Sequence, residues 1–193
     1  MAIKQIPDRT LAIARYIVSQ RPKQYTKLHL TLLLYYVYAY QLLWYESSNV
    51  SGQFYPRKEK KKLLLYHKEL EQWLHRVPNE ITLELKHFPN DPTNVSRLMK
   101  QDVSDVLQEY GKLTEYELKN LVQDSYPLKR AKYQQTNDTS HLPVVVSAKD
   151  VYDVMLASTM NINIVDMSSL SKRKQKQLTR YHENRNRIKK HIM

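Results

Sequence analysis

Three side chains with metal-ligand chemistry, His67, Glu71 and His75, recur at every fourth position. On a continuous helix residues four apart share a face, so two imidazoles and a carboxylate would stack along one stripe, and these are ligand types that zinc takes. The spacing is not the His-Glu-x-x-His order, in which two histidines one turn apart bind the ion and the glutamate acts as base. The reading adopted is structural: Glu71 and His75 hydrogen-bond near Trp73, and neither a metal nor a cofactor is expected. No serine stands in a nucleophile-elbow pattern, and no histidine has an evident base-and-orienter arrangement. The chain is therefore expected not to be an enzyme.

Composition narrows the chemistry further. There is no cysteine, which removes disulfides, thiolate metal sites and cysteine nucleophiles together and suits a reducing cytoplasm. With Gly52 and Gly111 as the only glycines, no Gly-rich phosphate loop can be written. The net charge of +12 is unevenly placed: residues 57–62 carry five basic and one acidic side chain, and residues 168–193 carry nine basic and one acidic. The other residues balance at 17 basic and 17 acidic. An electrostatic partner is thus addressed by a loop, through Lys58, Lys60, Lys61 and Lys62, and by a tail, through Lys172, Arg173, Lys174, Lys176, Arg180, Arg185 and Arg187. Tyr181, interleaved with the tail cations, could stack on a base, so these segments suit nucleic acid or a partner protein.

Asp102, Asp105 and Glu109 form an acidic stripe, and Glu115, Glu117 and Asp124 flank the segment after Gly111. Two helices around that glycine would resemble a helix-turn-helix. Carboxylates on the second helix, with Lys119 its lone cation, argue against placing it on phosphates and base edges. The stripe reads as solvated surface and, after that, as a docking face for a basic partner.

These groups must be positioned by a core, and one stretch dominates it. Leu28 to Tyr45, LHLTLLLYYVYAYQLLWY, is interrupted only by His29, Thr31 and Gln41. As a helix it is roughly 27 Å long, enough for a small domain or a bilayer core. Tyr35, Tyr36, Tyr38, Tyr40 and Tyr45 each need a hydrogen-bond partner and do not suit mid-bilayer, so the stretch is read as a buried central helix capped by Thr26, with no membrane span.

Around it the periodicity predicts a first helix over Thr10–Gln20, capped by Asp8 and broken at Arg21-Pro22. A polar loop follows Tyr45, and a helix covers Leu63–Leu74, carrying the histidine pattern. A short strand is predicted at 81–88, then a helix from Val95 to Tyr110 capped by Thr93 or Asn94, with Leu98, Val103, Val106 and Leu107 inward. Gly111 would be its left-handed stop. Thr114 and Glu117 make a capping-box pattern for a helix to about Gln123 that buries Leu118 and Leu121. Residues 129–142 read as loop, 144–146 as a strand, and Ser147 with Asp150 as the start of a helix to about Ser158.

The expectation is a mainly α, compact multi-helix domain over residues 1–167, built around the buried central helix. At most a small β hairpin, from 81–88 and 144–146, is added, and residues 168–193 form a basic helical tail. The core should hold Leu11, Ile17, Leu30, Leu33, Leu34, Val37, Leu107, Leu118 and Leu121. The first residues lack a secretory h-region, so a cytoplasmic location is expected.

Three ordered motifs over about residues 9–133 resemble the Panacea domain, the SocA-like, prophage-associated family of bacterial toxin–antitoxin modules. The family's LKLQKLLYYAQAW-like helix corresponds to Leu28–Tyr40, keeping Leu28, Leu30, Leu33, Leu34, Tyr35, Tyr36 and Ala39. Its EAW-HGPV-like element corresponds to Glu71, Gln72, Trp73, Leu74, His75, Arg76 and Val77. The third, VL--YG-LS--EL, is matched by Val106, Leu107, Tyr110, Gly111, Leu113, Thr114, Glu117 and Leu118, with Pro127 and Ala131 beyond. The chain departs from the family at Leu32, Arg76, Gln123 and Leu128. The resemblance implies a non-catalytic helical domain that holds a cognate toxin inactive, with Tyr36, Tyr40, Glu71, Trp73, His75 and Arg76 at the partner surface. The alternative is a nucleic-acid-binding accessory or regulatory protein using the basic loop and tail.

Overall fold

A computed structural model describes residues 9–22, 24–59, 62–88, 95–137 and 144–155. Helix α2, Lys27–Tyr45, is apolar on nearly every side, and a helix of that kind must be enclosed. Helices α1 (Arg9–Gln20), α4 (Arg97–Glu109) and α5 (Glu115–Gln123) enclose it, together with the second strand of a hairpin. Leu30, Leu33, Leu34 and Val37 lie fully buried in one hydrophobic cluster running from Leu11 to Val151. The expected mainly helical architecture around a buried central helix is the one observed. No helix among the described residues is long and apolar enough to cross a membrane.

Local signals placed the ends of these helices. The Thr26 hydroxyl accepts the His29 amide at 3.2 Å, satisfying one of the N–H groups a helix start leaves free. At the other end Glu46 takes a left-handed conformation, φ 56°, and its N–H donates to the Leu42 carbonyl at 2.9 Å. Helix α5 begins in the expected capping box, Glu117 N to Thr114 Oγ1 at 3.2 Å and Thr114 N to Glu117 Oε2 at 2.7 Å. The bonds donated by the Thr114 amide and hydroxyl stabilise the Glu117 carboxylate and lower its pKa. Helix α4 is capped by Ser96, not by Thr93 or Asn94: its hydroxyl accepts from Met99 N at 3.2 Å. Those two residues lie outside the described ones, as does Asp8.

The hairpin departs from expectation. Strands β1 (Phe54–Glu59) and β2 (Lys62–His67) pair antiparallel, and α3 is confined to Lys68–Trp73. Leu63–Leu74 is therefore not one helix. Leucine and lysine favour a helix, but the difference is well under about 1 kcal/mol per residue. It is outweighed by a backbone ladder and by cross-strand pairs such as Phe54 with His67 and Tyr55 with Tyr66, whose partners lie in a segment that reads as loop. Alternation is visible in the burial: Phe54, Pro56, Leu65 and His67 face the core, while Tyr55, Leu64 and Tyr66 are half-exposed on the other side.

Residues 81–88 do not form a strand. Leu83 N donates to the Tyr25 carbonyl at 2.7 Å, Leu85–His87 make one 3-10 turn, and Ile81 and Leu85 are exposed. Residues 144–147 are irregular, although Val146 N donates to Phe54 O at 2.6 Å and so ties that segment to the β1 edge. Residues 148–155 are helical. The predicted loop from 129 is helical as far as α6 extends, Tyr126–Asn137; Pro127 sits in its first turn, where a missing N–H costs nothing.

Gly111 is not left-handed. Its lack of a side chain serves packing: a Cβ there would stand 2.5 Å from the Leu107 carbonyl oxygen. Leu98 and Leu121 are 55% and 51% exposed, not core. Helix α5 turns Leu118 and Val122 inward, four residues apart, which leaves Leu121 about 100° round from Val122. The predicted tail, residues 168–193, lies outside the described residues.

Candidate partner-binding site

Two tyrosines of α2, Tyr40 and Tyr45, find carboxylate partners on α4. Tyr40 OH donates to Asp105 Oδ2 at 2.9 Å, Tyr45 OH to Asp102 Oδ1 at 2.9 Å, and Gln41 Nε2 to Asp102 Oδ2 at 2.8 Å. Gln41 Oε1 in turn accepts from Ser48 Oγ and from Asn49 N, each at 2.9 Å, anchoring the chain that leaves the helix. Tyr36 stacks on Tyr110, with ring centroids 3.9 Å apart and planes 14° from parallel. Burial pushes the Tyr36 hydroxyl up to about 12, and raises Tyr40 and Tyr45, beside carboxylates, further. All three remain neutral donors at ordinary pH.

This seam corrects the solvated reading of the acidic stripe at Asp102 and Asp105, while Glu109 is exposed as expected. Asp102 is only 2% exposed, and Asp105 is half-buried. Burial raises the Asp102 pKa, against the opposing pull of the Gln41 and Tyr45 hydrogen bonds. A signal was present in the sequence: hydroxyl-rich α2 needs acceptors, and Asp102 and Asp105 flank the inward Val103 and Val106.

His67, Glu71 and His75 are not on one helix face, because His67 belongs to β2. Glu71 is turned to the hairpin, where it accepts a short hydrogen bond from Tyr55 OH and pairs with Arg57 at 3.1 Å. His75 Nδ1 lies 2.8 Å from the Gln72 carbonyl and its Nε2 is 3.2 Å from Arg76 Nε. Nδ1 therefore donates to that carbonyl, and Nε2 accepts a hydrogen bond from Arg76. No group of three or more metal-ligating side chains is assembled among the described residues.

The fully buried His67 forms a cluster that the sequence did not indicate. Ser51 Oγ is 3.2 Å from Nε2, and Glu69 Oε2 is 3.1 Å from Nδ1. In a serine–histidine–acid relay the hydroxyl and the carboxylate address opposite ends of the imidazole. Here those oxygens are themselves 2.9 Å apart, with Ser51 donating directly to Glu69. Both oxygens thus sit to one side of the ring and not at its opposite ends. With Ser51 N donating to Thr10 Oγ1 at 3.0 Å, the cluster ties α1, the loop and β2 together structurally.

Trp73, His75 and Arg76 are exposed at the end of α3, beside the start of α2, where Lys27 Nζ donates to the Leu74 carbonyl at 3.1 Å. Trp73 Nε1 donates to the His87 carbonyl at 2.9 Å, which lays the indole on the 3-10 turn. Trp73 is nevertheless 37% exposed, and Ile81 and Leu85 on that following segment are 46% and 36% exposed. The six residues placed at the partner surface thus fall in three places. Tyr36 and Tyr40 are half-buried against α4, whereas Trp73, His75 and Arg76 border open surface, and Glu71 is engaged with the hairpin.

Lys58 is exposed near the hairpin end and Lys62 opens β2. Lys60, Lys61, Lys172, Arg173, Lys174, Lys176, Arg180, Tyr181, Arg185 and Arg187 lie outside the described residues. Comparison with known protein families, with curated proteins and with solved structures found no match.

Proposed function

We propose that this chain is a non-catalytic, antitoxin-like protein of the Panacea-like kind, which binds and neutralises a cognate toxin or similar partner protein in a phage or mobile-element setting. The observation that carries the reading is the exposure of Trp73, whose indole lies on the turn that carries exposed Leu85. Tryptophan and arginine are the residues most often found at the energetic centre of protein interfaces, and Arg76 stands three residues from Trp73. The motif resemblance supplies the class of partner.

Co-expression with a small toxin-like reading frame beside this gene provides the test. Wild-type protein restores growth, whereas Trp73→Ala and Leu85→Ser lose protection while keeping their thermal melts within a few degrees. Full protection by both variants would move the interface elsewhere. A host that loses no protection when the gene is deleted beside that toxin would refute the function itself.

A further inference from the structure

Two buried polar atoms stand at the start of α2. Tyr25 is fully buried and His29 is 7% exposed, and neither Tyr25 OH nor His29 Nε2 reaches solvent or a hydrogen-bond partner among the described residues. Their rings meet edge to face, with centroids 4.9 Å apart. The His29 ring is hydrogen-bonded to the Leu113 backbone, and the Tyr25 carbonyl accepts from Leu83 N at 2.7 Å. That second bond ties the start of α2 to the segment that carries exposed Ile81 and Leu85 and the turn under the Trp73 indole.

These surroundings accept a neutral imidazole and oppose its cation. With the other ring nitrogen bonded to Leu113, neutral His29 keeps Nε2 as an acceptor, whereas protonation puts an N–H there with nothing to receive it. A buried donor without an acceptor is costly, and a cation at the third residue of a helix also meets the positive end of the helix dipole. The charged groups nearby are engaged elsewhere. Glu115, at the start of α5, accepts a short bond from the Thr26 hydroxyl, and Arg21 donates to the Gly111 carbonyl at 2.8 Å. Lys27 donates to the Leu74 carbonyl at 3.1 Å, and Glu84, on the 81–88 segment, pairs with Lys86 at 3.1 Å. Burial accordingly lowers the His29 pKa, against the smaller raising effects of Glu115 and the Leu113 bond. We propose that His29 is a pH latch: neutral, it keeps the α2 start and the Tyr25–Leu83 tie closed, and on protonation it parts from Tyr25 and releases the 81–88 segment. A partner seated on Trp73 and Leu85 is then let go on acidification, a consequence that rests on the function proposed above.

The sign follows from the lowered pKa. The closed state is at full strength above the ordinary histidine value of 6.5 and weakens as pH falls through it, until folded His29 itself titrates. The test is two-dimensional NMR of the full chain, without a partner, between about pH 7.5 and about pH 5.5. His29 ring shifts and the exchange of the Leu83 amide, corrected for its intrinsic rate, are followed in the same sample. One proton moves an equilibrium by at most about tenfold per pH unit, so Leu83 protection should fall by about three- to tenfold over this range. In His29→Gln, which takes up no proton, the fall should be absent. An equal fall in that variant, or unchanged Leu83 protection in the wild type, overturns the proposal. So does Leu83 protection equal to that of the Leu34 amide at every pH, because the segment then opens only when the whole domain unfolds. The ring shifts need no variant: a His29 midpoint at or above 6.5 overturns the latch even where His29→Gln fails to fold. Since exchange is read without a partner, failure here is distinguishable from failure of the antitoxin reading.

Discussion

Removing the Asp102 carboxylate tests whether the α2–α4 seam holds the central helix. In Asp102→Ala, Gln41, which is fully buried, loses the acceptor of its Nε2 at 2.8 Å, while half-buried Tyr45 can turn its hydroxyl to water. An orphaned buried donor costs about 1–3 kcal/mol, and the lost charge-assisted bonds add to this. Against these stands the relief of an ionised group removed from a site only 2% exposed. The net expectation is a loss of about 2 kcal/mol, or roughly 4–8 °C in Tm for a chain of this size. Thermal melts followed by near-ultraviolet dichroism measure it. The pH dependence supplies an independent readout with a definite sign. Because burial raises the folded-state pKa of Asp102, the folded protein holds this proton more tightly than the unfolded chain does. The Asp102 contribution is therefore full below the ordinary carboxylate pKa and is lost as pH rises through the raised value. Asp102→Asn should remove that part of the slope. A variant with unchanged stability, or a wild-type and Asn pair with parallel pH profiles, would refute the account.

Leu34, fully buried at the centre of α2, should cost about 2–5 kcal/mol when changed to alanine, as read by denaturant unfolding. Gly111→Ala should lower the melting temperature although its backbone is not left-handed, because the new Cβ meets the Leu107 carbonyl oxygen at 2.5 Å and one of them must shift. Truncation after Met167 should leave a folded domain with nearly unchanged thermal stability, since the described core reaches no further than Val151 and its neighbours; a truncated chain that unfolds would show that the tail packs as a core helix.

The sequence by itself determined the central helix and most helix termini. A run from Leu28 to Tyr45 that is apolar on nearly every side can only be enclosed, and Thr26, Thr114 and Glu117 act on amides within four residues of themselves. Such signals are local, so one chain segment suffices to read them. The hairpin was hidden because the evidence for β2 lies on β1: Leu63–His67 alternates only when Phe54, Tyr55 and Pro56 stand opposite, and in isolation the same residues fit a helix. Asp102 and Asp105 looked solvent-facing for the same reason, since their acceptor role depends on Tyr40, Gln41 and Tyr45 some sixty positions earlier. Gly111 was placed correctly at a helix end but for a conformational reason, whereas the constraint is the distance to Leu107. The motif residues Trp73, His75 and Arg76 were legible as types, and their separation from Tyr36 and Tyr40 was not. Helix starts are short-range contests between neighbouring groups; strand partners, buried carboxylates and shared surfaces are settled by which distant segments the core brings together.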